Sequence, residues 1–596
     1  MDKNYNFQVN LDGIISLLSD NLYSNPGVFV REVLQNAVDA ITAHKKINKD
    51  LEGAINFELY DDTLIIEDNG VGLTLEDIHA FLSVIGQSSK RESLKVSKSD
   101  FIGRFGIGLL SCFIVCDEIT VITKSINSDE VYEWKGRNDG TYSIKKIEAD
   151  LESGTRVYLK SKKGYEEFFD YDYIYNTLKY YGKFLPYQIT LNSADKSKRI
   201  NKYFVPWKKD VFNKEYWLLI GKEEFKENFI DCIPMKSKTG NINGAAYILS
   251  RRVSISSKIK GKIYVKDMFV SDSCDKLMPS WAFFIKPILN AENMRLTASR
   301  EDFFEDSTLE KVRNEISECI KNYFYKLAAT DKKKLVEIIN VHYDSLKLMA
   351  IEDDELYRIM INYIPFETSL GRKTLWNIYE EYKYIKYTST VDEFKQIEKT
   401  AKAQDICIIN GGYVNDIELI EKFNECINDY VVERIRPEDI TEEFEELTID
   451  EMNEVFNFVN FADKVLMKER CICSIKKFNP SEIPSIYNIS EEAKFLKEIE
   501  NTKEEAFSVE DNLFGEIAGI FQNQIEGSCA NLCFNYNNFL VKQLVNCSDK
   551  KLKKTVIEIL YVQSLMLGHH PIKKIDNELF TGGINTLINL VLDRRQ

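Results

Sequence analysis

Apolar and polar positions divide this chain into helix-forming, strand-forming and turn-forming stretches. Phe29 to Ala40 is an apolar, helix-forming segment interrupted by a few polar residues, among them Glu32 and Asn36. Leu64 to Glu67 reads as an apolar strand that ends in Asp68-Asn69-Gly70-Val71-Gly72, and Gly154-Thr155 as a turn into a strand reaching Leu159. Between them, Gly103, Gly106 and Gly108 lead into the apolar run Phe105 to Cys116, which predicts a core helix and falls far short of the roughly 20 residues that span a bilayer. Ile259 to Val265 alternates as a strand does, and strands and helices alternate from about Lys202 to Arg470, with an α/β subdomain around Asp405 to Gly412. After Pro480 the pattern is mostly helical. There Ile584, Leu587, Ile588, Val591 and Leu592 form one apolar stripe, which serves either the chain's own core or a dimer seam. The fold class is α/β (α+β).

Candidate chemistry sits on these elements. Four-residue spacing places Glu32 and Asn36 on one helix face. A carboxylate able to activate water, one turn from an amide oxygen able to coordinate Mg²⁺, suits a nucleotide-hydrolysing site, although the pair alone is also an ordinary helix surface. Asp68, at a strand end, can accept a hydrogen bond from an exocyclic amino group while Gly70 and Gly72 admit a flat ring; the plainer alternative is a hairpin turn. Backbone N–H groups at Gly103, Gly106 and Gly108, before a helix, form an anion site suited to a triphosphate. Their order matches neither the dinucleotide fingerprint nor the lysine-bearing phosphate loop. The Thr155 hydroxyl could help Asp68 hold a base.

In this order the four segments resemble the Bergerat-type ATP-binding fold shared by gyrase, MutL-type repair proteins, sensor histidine kinases and the heat shock protein 90 family. The stretch from Asn6 to Glu32 is similar to the first helix and strand-swap segment of the heat shock protein 90 branch. Ile263 to Glu301, ending in T-A-S-R-E, is similar to that family's middle domain, and Asn531 to Leu544 with the helices beyond it to the dimerisation domain. The resemblance implies a GHKL-type ATPase sandwich over 1–195, an α/β middle domain with a ribosomal S5-like fold over 200–475, and a mostly helical dimerisation domain over 480–596. It also implies an ATP-dependent, Mg²⁺-dependent chaperone, a homodimer that acts on client proteins with possible co-chaperones.

Roles for single residues follow from the same resemblance. Glu32 activates water, Asn36 holds Mg²⁺, Asp68 and Thr155 read adenine, and Asp39, Gly70, Gly72, Ser88, Gly106 and Gly108 complete the ATP contacts. Ser88 falls in a lid from Phe81 to Arg104. Arg300, from another domain, neutralises the γ-phosphate when the domains close. Four residues later the family commonly carries glutamine, and this chain has Phe304. The short charged patch Asp195 to Arg199 and the absence of an acidic tail point to the bacterial form.

Composition narrows the field further. The 596 residues carry a formal charge of −16 and are 44% hydrophobic and 29% charged. Eight carboxylates between Glu438 and Glu451 add to an acidic balance that disfavours a broad nucleic-acid interface. The 12 cysteines lack zinc spacing, so reduced buried thiols are expected. The amino-terminal residues carry no basic-then-apolar leader pattern, giving the expectation of a cytoplasmic protein without membrane association. A DNA-acting relative would want a toprim cluster, a DNA-cleaving tyrosine or a basic path, and a sensor kinase a histidine helix before the ATPase; none is found.

Overall fold

Helix α1, Val28–Ile47, is covered on nearly every side over its first three turns. From Val28 to Asp39 every residue is buried except Asn36. Phe29, Leu34 and Ile41 pack into one core with Ile55, Phe57, Ile66 and Ile189 from the sheet beneath. Each such side chain contributes on the order of 1.5–3 kcal/mol. The computed structural model describes residues 26–82, 108–201, 204–208, 211–254, 256–297, 299–427, 431–437, 439–489, 530–568 and 570–593. The expected lid residue Ser88 and the glycines Gly103 and Gly106 lie outside them. The chain divides into two compact units, Met1–Ser345 and Leu346–Gln596.

In the first unit, α1 lies on an eight-stranded sheet of order β5-β4-β3-β6-β2-β1-β7-β8. Its strands are β1 Ala54–Tyr60, β2 Thr63–Asp68, β3 Glu118–Lys124, β4 Val131–Arg137, β5 Tyr142–Ile147, β6 Gly154–Lys160, β7 Gln188–Ser193 and β8 Ser197–Arg199. The charged stretch 195–199, between the expected domains 1–195 and 200–475, belongs to this sheet as β8 and the turn before it. β1 and β2 show strict alternation of half-buried and buried residues, the signature of strands with one covered face. Helix α2, Leu75–Phe81, starts on a capping box between Thr74 and Asp77. The expected core helix after Gly108 is a 3-10 helix, Gly108–Ile114. It must end quickly because β3 begins at Glu118, and the Ser111 hydroxyl donates to the Gly108 carbonyl at 2.7 Å, a local bond that favours the tighter turn.

Helix α3, Tyr171–Gly182, capped by Asp170, packs on α1 and carries an aromatic bridge to a second sheet in the same unit. That sheet has order β12-β11-β13-β10-β9, from β9 Phe229–Ser237, β10 Ile242–Leu249, β11 Lys260–Val265, β12 Met268–Ser273 and β13 Ile285–Ala291. Tyr180 lies 4.3 Å from Phe269 between ring centroids, and Phe184 stands edge-on to Trp207 and Tyr264. This contact fixes the second sheet against α3, and hence near α1.

The second unit holds a five-stranded sheet of order β15-β14-β17-β16-β18, from β14 Pro365–Thr368, β15 Gly371–Thr374, β16 Ile385–Thr388, β17 Ile408–Asn410 and β18 Val432–Arg434. A three-stranded sheet follows, in which β19 Cys471–Lys476 and β21 Ala530–Asn535 run parallel and β20 Ser485–Asn488 completes the edge. The strands β20 and β21 are additions to the mostly helical pattern expected after Pro480. Helices α4 Ile449–Leu466 and α5 Lys550–Leu567 cover this sheet, sharing a core of Phe458, Leu532, Val541 and Ile557. The last helix, α6 Lys574–Asp593, packs on α5 through Gly583, whose Cα faces Ile559. Its apolar stripe is largely open: Ile588 is 50% and Val591 57% exposed, so the stripe does not serve the chain's own core.

Among the described residues no helix is long and apolar enough to cross a membrane. Cys112, Cys116, Cys471, Cys473 and Cys533 are buried thiols outside any disulfide, as expected, while Cys529 lies outside the described residues.

Candidate functional site

Glu32 is fully buried in α1 and is held from both sides. Its Oε1 accepts from Arg31 at 3.0 and 3.2 Å. Its Oε2 accepts from Arg300 Nη1, which also donates to Gln35 Oε1. Arg300 stands at the tip of a hairpin that follows β13 and is closed by the Leu296↔Phe303 bridge and by Phe304 N donating to Arg295 O at 2.9 Å. Its backbone is left-handed, with φ of 59°, an uncommon conformation for an arginine and of the kind that marks constrained functional positions. Arg31 braces the same hairpin by donating to the Ser299 carbonyl at 2.9 Å. The 3-10 helix closes the other side: a Cβ at Gly108 would stand 2.4 Å from Glu32 Oε2, so only glycine lets the backbone come this close.

The residues expected to read a base come together through strand register. Asp68, the last residue of β2, is paired with Thr155 of β6, and Thr155 in turn with Thr123 of β3. Residues directly opposite share a face, so the three side chains form one row. The Thr123 and Thr155 hydroxyls lie 3.1 Å apart. Asp68 is buried, and burial pushes its carboxyl up to about 7, against the opposing pull of the Gly70 N–H that donates to its Oδ1 at 2.9 Å. A carboxyl balanced near neutrality answers readily to a hydrogen-bond donor. Gly72 adopts φ of 61°, and a Cβ there would meet the Lys124 carbonyl at 1.9 Å, so the turn after Asp68 requires glycine.

Asn36 lies one turn beyond Glu32 with its amide exposed, and Asp39 is buried one residue short of a further turn. Among the described residues no group of three His, Cys, Asp or Glu side chains is placed to hold a metal. A single amide oxygen still suits Mg²⁺, which keeps several waters and takes further ligands from phosphates. Arg31, Gln35 and Thr123 were not anticipated. The first two had a signal in the sequence, being polar residues in an apolar helix at i−1 and i+3 from Glu32. Thr123 had none, because only the β3–β6 register brings it to Thr155. Phe304 turns away from hydrogen bonding: its ring lies 4.3 Å from the Arg295 guanidinium.

Comparison with known proteins follows the same division of the chain. The family described as "Histidine kinase-, DNA gyrase B-, and HSP90-like ATPase" matches residues 23–164, which include Glu32, Asp68 and Thr155. The family described as "Hsp90 protein" matches residues 248–451, which include Arg300. The "Chaperone protein HtpG" of Helicobacter acinonychis is 25% identical over an alignment covering 98% of this chain and 99% of that protein. The protein of the same description from Clostridium acetobutylicum is 26% identical, covering 67% of this chain and 72% of its own length. That from Orientia tsutsugamushi is 24% identical, covering 72% and 74%.

Proposed function

The chain belongs to the heat shock protein 90 family and is an ATP-dependent chaperone with ATPase activity, and we propose that it acts as a homodimeric clamp coupling slow hydrolysis to closure on unfolded or partly folded clients. The observation that carries this reading is the meeting of Arg300 with Glu32 across 268 residues of sequence. A water-activating carboxylate on α1 and a phosphate-neutralising arginine on the hairpin after β13 form one site only when that hairpin is seated against the helix.

In this reading Asp68 and Thr155 hold the adenine edge, with Gly70 and Gly72 allowing the ring to approach. Asp39, Ser88, Gly106 and Gly108 complete the nucleotide contacts. Asn36 would hold Mg²⁺, which supplies charge neutralisation on the phosphates when bound. Glu32 takes the proton of the attacking water. The water oxygen bonds to the γ-phosphorus, and the bond to the β–γ bridging oxygen breaks, releasing ADP. Both Glu32 oxygens are engaged by arginines, so transfer of Arg300 to the phosphate frees Oε2 for the water and delivers positive charge where negative charge develops.

The three-part division into an ATP-binding domain 1–195, a middle domain 200–475 and a dimerisation domain 480–596 belongs to this proposal. So does a cytoplasmic location, which the buried free thiols support because such thiols persist in reducing compartments. Glu32→Ala tests the reading: it should bind ATP, cease turnover and retain client proteins when recovered from native extract. A Glu32→Ala protein that hydrolyses ATP at the wild-type rate would overturn it.

A further inference from the structure

Gln35 is fully buried in α1, three residues after Glu32 and therefore on the same face. Its Oε1 accepts from the guanidinium nitrogen of Arg300 that also donates to Glu32. Its Nε2 is buried and has no hydrogen-bond partner among the described residues. Buried amide donors are rarely left this way, because the lost hydration is not replaced. An apolar side chain of similar length would fill the space without that cost. The orphan atom is also well placed. A carboxamide holds its oxygen and nitrogen on one carbon, so with Oε1 on Arg300, Nε2 stands at the wall of the same site. Phe304, on the hairpin that carries Arg300, offers the site no hydrogen-bonding group, since its ring lies against Arg295.

We propose that Gln35 is a further member of the hydrolytic site: its carbonyl oxygen positions Arg300, and its Nε2 donates to an oxygen of the terminal phosphate of ATP. The proposal rests on the reading of Glu32 and Arg300 given above. As Arg300 shifts from Glu32 to the phosphate, Gln35 keeps hold of it through Oε1 and satisfies Nε2 on the same phosphate. ADP lacks that group and leaves the donor unmet, so Gln35 favours the triphosphate.

Gln35→Met removes both polar atoms at nearly constant volume, and Gln35→Glu keeps an acceptor for Arg300 while removing the donor. Affinities are read by calorimetry with ADP and with a non-hydrolysable β,γ-imido analogue of ATP, alongside steady-state hydrolysis. Both variants should bind ADP as the wild type does, lose the preference for the triphosphate, and fall in kcat by about tenfold or more. Nucleotide-free Gln35→Met should also unfold at a higher temperature than wild type, because the unmet donor is gone. Gln35→Met with wild-type kcat and a wild-type ratio of triphosphate to diphosphate affinity overturns the proposal. Gln35→Glu with that ratio intact overturns the donor role. Failure of the underlying reading looks different: Arg300→Ala would then hydrolyse ATP at the wild-type rate, whereas the affinity ratio of the Gln35 variants is measurable without turnover.

Discussion

Arg300 donates to the buried carboxylate of Glu32, and the left-handed backbone at Arg300 aims the guanidinium there. Removing the guanidinium by Arg300→Ala should cut hydrolysis by a factor on the order of 10 to 10³. ATP affinity should be nearly unchanged, because Asp68 and Thr155 belong to the eight-stranded sheet and not to the hairpin that carries Arg300. Single-turnover hydrolysis with calorimetric binding checks both halves, and wild-type turnover would remove Arg300 from the mechanism.

Asp68 and Glu32 should separate binding from chemistry. Asp68→Asn presents an amide where the adenine amino group needs an acceptor, and should abolish ATP binding. Glu32→Ala should bind and not turn over. Equal loss of nucleotide affinity in the two variants would contradict the assignment.

The buried Asp68 carboxyl predicts a pH dependence. Its pKa is raised to about 7 in the folded chain from 3.8, so the fold holds a proton there that the unfolded chain releases. Its contribution therefore costs stability progressively as pH rises from about 4 to about 7, and the cost is constant above that range. A base that donates to this group favours the ionised carboxylate, so ATP affinity should climb as pH rises towards about 7 and level off above it. Calorimetry in buffers of different ionisation enthalpy should detect proton release on binding at about pH 6 and little at about pH 8. Binding that takes up protons at the lower pH would contradict this sign.

Gly108→Ala places a Cβ 2.4 Å from Glu32 Oε2. The carboxylate or the 3-10 helix must shift by a large fraction of an ångström. Misplacement on that scale costs up to about 10²-fold in rate, so turnover should fall with binding of the adenine end preserved. Unchanged hydrolysis in Gly108→Ala would show that the close approach is not needed.

The open stripe of α6 predicts the oligomeric state. Ile588→Asp puts a charge on a 50%-exposed position, so the monomer should fold normally and sediment as a monomer at micromolar concentration, with slower hydrolysis per chain. A dimer unaffected by this change would place the interface elsewhere.

Much of this was legible in the residues. An apolar helix that carries Glu32 and Asn36 announces polar work on a buried element, and a strand ending in Asp68 with two glycines announces a close approach. The terminal stripe was visible as a stripe, but its partner was open between the chain's own core and a second copy. The exposure of Ile588 and Val591 decides against the chain's own core. The strand β21 was missed because its pairing partner β19 lies more than fifty residues earlier in the chain, and parallel pairing leaves no local turn signal.

By itself the sequence determined the elements and the chemical groups they carry, because helix periodicity, strand alternation and glycine placement are local properties of the backbone. Only the tertiary structure decided which groups meet. Thr123 joins Thr155 through the β3–β6 register, Gln35 and Arg31 join Glu32 and the Arg300 hairpin, and that hairpin reaches α1 because aromatic packing of α3 on Phe269 seats the second sheet beside it. These are contacts between residues far apart in the chain, set by the burial of whole faces, and no local spacing encodes them.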